Sequence, residues 1–431
     1  MQIHPLVTDT DTLAQLCRRL RDHGSICLDT EFMRENTYYP ELCLVQLASP
    51  EEAFALDPLA EKLDMGPFLE LLADESVLKV LHAGGQDVEI FVHLMGEVPQ
   101  PLFDTQIAAM ALGIGEQVSY ANLVAHFTGR HIDKGARFTD WARRPLSDRQ
   151  LQYAIGDVTH LMELFPDMLG KLQQTGRGPW LNEEMAHLCD AAHYVVDPDQ
   201  AWLRLKPPSR KADVLGRLKA LARWREEEAV RKNLPRGRIM KDDTLCNIAS
   251  APPETQADLA RVRGLSAAWA DNAIGARLMD ALAQASPLAG EELPDRLHRV
   301  RLSSDGALIA DLLKLLLKVR AKEAGVAAKL IAHAEDLAAL AAGQRQGLAL
   351  LSGWRLELFG RDALALLDGQ LRFSVQKGAL RMRRNEPSAA SAQTTPLNAG
   401  AVPPALPTPA PMPDVDVAPA CHTALPDLPA G

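Results

Sequence analysis

The sequence predicts an α/β domain with a mixed sheet, followed by two small all-α bundles and a disordered tail. Three observations support this prediction: closely spaced apolar runs near the N-terminus, helical periodicity with few aromatic residues further on, and a Pro/Ala-rich end. The chain has 431 residues, of which 47% are hydrophobic and 5% aromatic. At roughly 100–200 residues per domain, this length predicts two to four domains.

The first 205 residues carry the strand signals. Brief polar breaks separate the first three apolar runs, which predicts an antiparallel meander, and predicted helices near 65–72 and 88–95 precede the last two. A meander followed by strand–helix alternation indicates a mixed sheet covered by helices. The five predicted strands lie at 25–28, 42–48, 52–56, 77–81 and 101–104.

After residue 205 the pattern becomes helical. Residues 206–292 have 3.6-residue periodicity with Gly and Pro punctuation, which predicts a compact helical bundle, and residues 293–376 repeat that size and texture. Residues 377–431 are predicted to be disordered. Their Pro/Ala-rich part from residue 385 holds 11 of the 29 prolines and cannot bury enough apolar surface to fold.

Composition excludes several classes of protein. The six cysteines contain no CxxC pair, so a disulfide framework or a zinc ribbon is not expected. We expect reduced thiols in a cytoplasmic protein instead. No apolar run reaches the ~18 residues of a membrane span, and the N-terminus lacks a signal-peptide pattern. The net charge of −10 argues at first against nucleic acid, whose phosphates require Lys and Arg.

The strongest local motif is LDTEF at 28–32. Alternate residues of a strand face the same side, so Asp29 and Glu31 project together. Two carboxylates about 5 Å apart at an effective dielectric of about 20 repel by roughly 3 kcal/mol. Such a pair suits a metal site better than a structural element, although an isolated Asp-x-Glu is more often an exposed strand end.

Two further motifs carry acidic residues. In LHAGGQD, at 81–87, an apolar strand runs through two glycines to Asp87 at the start of a helix; Asp87 alone is also explained as a favourable helix-start carboxylate. In LQYAIGDVTHLMEL, at 151–164, Tyr153 and Asp157 share one face of a helix. A surface Asp beside a Tyr is the alternative for that motif.

Taken together and in this order, the motifs resemble the tyrosine-containing branch of the DEDD exonuclease superfamily, and within it the ribonuclease D family. The stretch DWARRPLSDRQLQYAIGDV at 140–158 is also similar to that family. The resemblance covers nearly all of residues 1–370. It implies a ribonuclease H-like exonuclease domain in 1–205 that removes 5′-mononucleotides from RNA 3′ ends, chiefly the 3′ extensions of tRNA precursors.

The same resemblance implies the roles of the site residues. Asp29, Glu31, Asp87 and Asp157 would bind two divalent cations, Mg²⁺ or Mn²⁺, which prefer oxygen ligands. Tyr153 would orient the attacking water. Phe32 and Met33 are candidate contacts to the terminal bases and His82 is a candidate contact to the substrate, with core packing or a structural histidine as the alternative for each.

The helical half resembles the HRDC module in LKALARWREEEAVRKNLPRGRIMKDDTLCNIA (218–249) and RVRGL (261–265), and 293–376 resembles a second, divergent copy. Residues 204–241 hold 13 Lys/Arg and 4 Asp/Glu, whereas residues 1–200 hold 14 and 31. The basic run favours a phosphate-binding surface over an ordinary solvated helix. The acidic net charge therefore combines an acidic N-terminal part with a basic segment at 204–241.

The sequence thus predicts a cytoplasmic 3′–5′ exoribonuclease that acts on RNA, without a membrane association or an inferred obligate protein partner. A single-strand DNA exonuclease and a non-catalytic RNA-binding protein are the alternatives. The complete carboxylate set favours an enzyme over the binding protein, and the lack of polymerase or helicase motifs disfavours the DNA enzyme.

Overall fold

The computed structural model describes residues 1–132, 135, 139–288 and 302–384. These residues form two compact units, one with residues 1–109 and 117–288, the other with residues 110–116 and 302–384. The domain boundary predicted at residue 205 lies inside the first unit and stays a prediction. Among the helices of the described residues, none has the length and hydropathy of a membrane span.

A six-stranded mixed sheet forms the centre of the first unit. Its order is β1-β4-β3-β2-β5-β6; β2, β3 and β4 pair antiparallel, and the other neighbours pair parallel. The predicted antiparallel meander is therefore confirmed. The strands are β1 (Gln2–Ile3), β2 (Ser25–Met33), β3 (Glu41–Ala48), β4 (Glu52–Leu56), β5 (Leu78–Leu81) and β6 (Leu102–Asp104).

Helices cover both faces of this sheet, because the central strands are apolar on both sides. Val45 and Phe54 face a core with the helices of the N-terminal region, whereas Leu44 and Ala55 face a second cluster with Ala154 of the long helix α6. The helices of this part are α1 (Thr10–Arg21), α2 (Gly66–Ala73), α3 (Gly85–Met95), α4 (Thr105–Ala111), α5 (Tyr120–Thr128), α6 (Asp148–Thr175) and α7 (Asn182–Leu188).

Helix α6 starts at a capping box, in which the Ser147 hydroxyl accepts from the Gln150 amide and the Gln150 side chain accepts from the Ser147 amide. It runs for 28 residues and contains Pro166. The helix predicted at 151–164 is confirmed, but it is twice as long, since four of its ten buried side chains extend the apolar face beyond Leu164 to Leu172.

Among the described residues of the first unit, four α-helices follow around their own apolar core. The core is tied to the loop between β2 and β3 by a buried carboxylate, Glu226, whose side chain is 1% exposed. Arg236 donates to both Glu226 oxygens at 2.5 and 2.6 Å, and the Tyr38 hydroxyl also donates to Glu226. The helices are α8 (Ala212–Lys232), α9 (Arg236–Ile239), α10 (Asp242–Ser250) and α11 (Ala273–Ala283).

The second unit begins with the same helical pattern. Its first three helices have their starts displaced by 92 residues from those of α8, α9 and α10, and its first helix also has 21 residues and a left-handed C-cap, Gly325 in place of Asn233. A divergent second copy in residues 293–376 would give this match and stays a prediction. The helices are α12 (Ser304–Ala324), α13 (Ala328–Ile331), α14 (Ala334–Ala341), α15 (Gly353–Arg355) and α16 (Arg361–Leu367), with a π-helical turn at Leu356–Gly360 between the last two.

A two-stranded hairpin ends the described chain, β7 (Leu371–Gln376) and β8 (Ala379–Arg384). It corrects the predicted start of the disordered tail at residue 377, because residues 379–384 pair with β7 through a turn at Lys377 and Gly378, both with positive φ. The rest of the predicted tail, 385–431, lies outside the described residues.

We expect Glu226→Gln to destabilise the first unit by about 2 kcal/mol, because it leaves the Arg236 guanidinium beside a neutral, buried amide. Urea unfolding of the full chain measures the change. Glu227→Gln is the matched control, since Glu227 is 52% exposed and pairs with Arg223 at the surface, where ion pairs contribute little. Equal effects of the two variants would contradict the structural role of Glu226.

Candidate active site

Strand β2 carries two of the predicted carboxylates on the sheet face that packs against α6. Asp29 lies opposite Gln46 of β3 and Glu31 lies opposite Leu44, and directly opposed residues of an antiparallel pair share a face. Since Leu44 contributes to the cluster with α6, Asp29 and Glu31 project towards that helix, as the alternation in the sequence predicts.

Helix α6 supplies the third carboxylate. Asp29, Glu31 and Asp157 each offer an oxygen, and these atoms lie within 4.8 Å of one another. Three carboxylates at such a distance provide the oxygen donors that Mg²⁺ and Mn²⁺ prefer. The donor set therefore fits a divalent cation.

Asp87 lies in the first turn of α3 and is 7% exposed. Its carboxylate accepts a hydrogen bond from the Thr30 hydroxyl; Thr30 lies between Asp29 and Glu31 in β2. Among the described residues, Asp87 is outside the 4.8 Å group but lines the same cavity. The structure thus brings all four predicted carboxylates to one cavity and gives Asp87 a separate position in it.

Burial and mutual repulsion perturb these carboxylates. Burial raises the pKa of Asp29 well above its ordinary range, and the negative charges of Asp157, Asp87 and Glu31 raise it further. Burial also raises the pKa of Asp87 to about 6, against the opposing effect of the hydrogen bond from Thr30. Raised carboxylate pKa values are expected where a cation's charge is needed to keep the groups ionised.

The cavity has a volume of about 380 Å³ and combines the carboxylates with polar and aromatic side chains. Tyr153 lines it one helical turn before Asp157, and its ring lies 6.2 Å from that of Trp141. The remaining lining residues are Thr30, Phe32, His82, Ala83, Gln86, Gln106, Ser119, Tyr120, Ala121, Ile132 and Leu161.

The three weaker predicted contacts have different positions. Phe32 lines the cavity and also packs against the core. Met33 packs against the cluster that contains Trp141 and is not among the cavity-lining residues. His82 lines the cavity, but its Nδ1 lies 3.0 Å from the Thr105 hydroxyl and its Nε2 lies 3.1 Å from the Val118 carbonyl oxygen. Substrate contact by these residues stays a prediction.

Burial lowers the pKa of His82, although the Asp104 charge and the Val118 carbonyl oppose the shift. Burial therefore favours the neutral form of the imidazole. Since both of its nitrogens lie within hydrogen-bond distance of protein atoms, its contribution to the cavity is the face of its ring, which also lies 5.5 Å from the Tyr120 ring.

The loop that leads to Asp87 is held by Asp104, which sequence reasoning did not identify. Its carboxylate accepts from the amides of Ala83, Gly84 and Gln106 at 3.1, 2.9 and 2.7 Å. Ala83 has a φ of 54°, and a Cβ on Gly84 would lie 2.7 Å from the Leu81 Cβ. Gly84 is therefore required for close packing against Leu81. The sequence signal for Asp104 was its position as an Asp at the end of a predicted strand.

Two further residues near Asp29 and Asp157 were missed. The Tyr120 hydroxyl donates to the backbone carbonyls of Gly156 and Asp157, and burial together with the charges of Asp157 and Asp29 raises the Tyr120 pKa. Gln46, opposite Asp29, is fully buried, and in the part of the chain that the structure describes neither of its amide atoms has a hydrogen-bond partner. For Gln46, the available sequence signal was a polar residue inside the apolar run LCLVQLA.

Arg144 anchors the segment that precedes α6. Its guanidinium donates to both Asp57 oxygens at 2.6 Å and to the carbonyls of Trp141 and Cys43 at 2.6 and 2.7 Å. The Asp57 side chain is only 6% exposed. The RPL pattern before α6 thus fixes the start of the helix that carries Tyr153 and Asp157.

Comparisons with known proteins agree with this architecture. A family model described as 3′-5′ exonuclease matches residues 5–173, and one described as HRDC domain matches residues 214–282. The Ribonuclease D of Sphingobium indicum is 61% identical over 388 residues, which are 90% of this chain and 100% of that protein. The Ribonuclease D of Zymomonas mobilis is 57% identical over 384 residues, which are 89% of this chain and 98% of that protein.

A solved structure extends the agreement to the fold. The crystal structure of Escherichia coli RNase D, described as an exoribonuclease involved in structured RNA processing, matches with a TM-score of 0.67 at 28% identity. The match covers 85% of this chain and 99% of that chain. The predicted fold, a mixed α/β exonuclease core followed by a helical HRDC region, is confirmed.

The raised pKa of Asp29 implies that the stability of the protein depends on pH. Above the pKa that Asp29 has in the unfolded chain, the folded protein still holds a proton on this carboxyl that the unfolded chain has released. The free energy of unfolding therefore falls as the pH rises through this range. In chelator, we therefore expect Asp29→Asn to raise the melting temperature at pH 7 by at least ~2 °C, the shift that ~1 kcal/mol produces. The difference from wild type should shrink towards pH 4.

Thermal unfolding with and without Mn²⁺ completes this test. Wild-type protein should be stabilised by Mn²⁺ and the Asp29→Asn variant much less, since it lacks one of the three clustered carboxylates. Asp64→Asn is a control, because Asp64 caps an exposed turn away from the cavity. If Asp29→Asn made the protein less stable than wild type in chelator at pH 7, the repulsion argument would be contradicted.

Proposed function

The chain belongs to the ribonuclease D family of 3′–5′ exoribonucleases, and we propose that it trims RNA 3′ ends by two-metal-ion hydrolysis and releases 5′-mononucleotides. The observation that carries this proposal is the convergence of Asp29, Glu31 and Asp157 within 4.8 Å. A carboxylate cluster with a raised pKa in a cavity is a poor element of stability, but it is suited to binding cations.

We assign the four carboxylates to two divalent cations, Mg²⁺ or Mn²⁺. Asp29 would be shared by both, with Glu31 and Asp157 completing one site and Asp87 holding the other. When bound, such a pair of cations lowers the pKa of a water and stabilises the charge on the leaving oxygen. The Thr30 hydroxyl fixes the orientation of the Asp87 carboxylate through its hydrogen bond.

Tyr153 is assigned to orienting the attacking water through its hydroxyl. A tyrosine phenol, with an ordinary pKa near 10, is better suited to positioning water than to removing its proton at neutral pH. Two contacts support its placement: the Trp141 ring beside it, and the hydrogen bonds from Tyr120 to the backbone of α6 at the level of Asp157. Both restrict motion of the helix that carries Tyr153.

The proposed substrate is single-stranded RNA, chiefly the 3′ extensions of tRNA precursors. A cavity of about 380 Å³ is at the small end of ligand sites, which fits release of one nucleotide at a time. We place the reaction in the cytoplasm, where the buried free thiols of Cys17, Cys27 and Cys43 remain reduced.

Variants of the site residues test the catalytic roles. We expect Asp29→Asn to lower kcat on a 3′-labelled RNA by at least ~10²-fold, because it removes the shared carboxylate. Tyr153→Phe should lower kcat by at least ~10-fold, because it removes a positioning group, while leaving Mn²⁺-induced thermal stabilisation intact. Gln152→Ala is the neighbouring control. Near-normal trimming by the Asp29→Asn variant would contradict the assignment.

Matched substrates test the RNA assignment. A tRNA precursor with a 3′ extension should be shortened stepwise in Mg²⁺ or Mn²⁺ and remain intact in chelator. Single-stranded DNA of the same sequence should be degraded at least ~10-fold more slowly, a difference of ~1.4 kcal/mol in transition-state stabilisation. Faster digestion of DNA would favour a DNA exonuclease, and binding of RNA without release of mononucleotides would favour a non-catalytic protein.

A further inference from the structure

The C-terminal hairpin of the second unit concentrates that unit's positive charge. Residues 302–370 contain eight Lys/Arg and eight Asp/Glu, so the helical part is neutral. Residues 371–384 contain five Lys/Arg and no acid. The cations are Arg372, Lys377, Arg381, Arg383 and Arg384, all exposed.

The strand register places three of these arginines on one face. Arg372 lies directly opposite Arg383, and Arg381 lies opposite Ser374; opposed and alternate positions of an antiparallel pair share a face. The other face carries the opposed pairs Phe373–Met382 and Val375–Leu380. Like charges directly opposite each other destabilise a hairpin, and a two-stranded hairpin is marginal alone. The arginine face is therefore unfavourable without an anion.

The base of the hairpin is fixed to the helices, whereas its basic face is not neutralised. Arg384 donates to Asp362 at 2.7 Å, and Arg320 of α12 donates to the other oxygen of the same carboxylate. Among the described residues, Arg372, Lys377 and Arg381 form no ion pair, and Arg383 donates only to the Gln376 amide oxygen at 3.2 Å.

A groove on the other face of the hairpin meets the arginine face at Arg381 and continues the positive charge onto α12. Its volume is about 910 Å³, and it lies between the helix and the hairpin within the second unit. Lys318 and Lys322 line the helix side and Arg381 lines the hairpin side, while Leu380 and Met382 supply apolar surface. A positively charged groove is typical of surfaces that follow a single-stranded backbone without reading its sequence.

We propose that the arginine face of the hairpin and the adjoining groove bind the phosphate backbone of single-stranded RNA. The proposal rests on the proposed function, because RNA is the polyanion that this chain must hold during trimming. It adds an RNA-binding surface outside the segment of residues 204–241 that the sequence singles out. Charge complementarity selects this occupant, since the face repels itself and its three arginines have no carboxylate among the described residues.

The test compares RNA binding by two triple variants of the full chain in chelator, where no trimming occurs. The hairpin variant is Arg372→Gln/Arg381→Gln/Arg383→Gln, and the control is Lys329→Gln/Arg345→Gln/Arg361→Gln, which removes the same charge from exposed positions outside the hairpin. With a labelled RNA of about 20 nucleotides at ~50 mM salt, the hairpin variant should bind at least ~10-fold more weakly. Its salt slope should fall by about 2, at ~0.7 per lost phosphate contact.

Catalysis on short and long substrates separates this surface from the active site. In Mn²⁺, the hairpin variant should cleave a ribodinucleotide within ~2-fold of wild type but should have a raised KM on the long RNA. Unchanged RNA affinity, an equal loss in the control, or a loss on the dinucleotide would each overturn the proposal, as would binding of wild type to anionic phospholipid vesicles and not to RNA. If wild type binds RNA through the hairpin and degrades none, only the proposed function fails.

Discussion

The repulsion among carboxylates on one sheet face is the constraint on which this molecule depends. Asp29, Glu31 and Asp157 lie within 4.8 Å, and nothing in an apolar core favours that arrangement. Stronger interactions around it hold it in place. The capping box at Ser147 and the bidentate pair of Arg144 with Asp57 fix the start of α6, and the register of β2 between β3 and β5 fixes the other two carboxylates.

Much of the fold follows from period and spacing. The apolar alternation of β2 predicts that Asp29 and Glu31 share a face, and Tyr153 and Asp157 share a helix face for a similar reason. The four-residue strand β5 and the helix after it place Asp87 in the same cavity. Such signals are local, so a single sequence contains them.

Contacts between distant segments carry no such signal. The donation from Tyr120 to the carbonyl of Asp157 joins residues 37 positions apart, and Tyr38 reaches Glu226 across 188 positions. Gln46 and Asp104 are visible in the sequence only as polar residues in or after apolar runs. Their roles depend on which strand lies next to which, and that follows from packing of the whole sheet.

The role of each basic segment also depends on which side chains lie next to it in the fold. In the basic run 204–241, Arg223, Arg225, Arg231 and Arg236 form ion pairs, so part of that run stabilises the helical core. The hairpin, by contrast, has arginines without carboxylate partners among the described residues and follows a helical part of zero net charge. A net charge of −10 therefore describes neither the cavity, which is acidic, nor the hairpin, which is basic.

Proton release on cation binding tests the central claim most directly. Titration of Mn²⁺ into the full chain, by calorimetry in buffers of different ionisation enthalpy, counts the protons that leave the cavity. Because the pKa of Asp87 is raised to about 6 and that of Asp29 is also raised, we predict two bound ions and more protons released at pH 6 than at pH 8. Binding without proton release at pH 6, or no binding, would contradict the account.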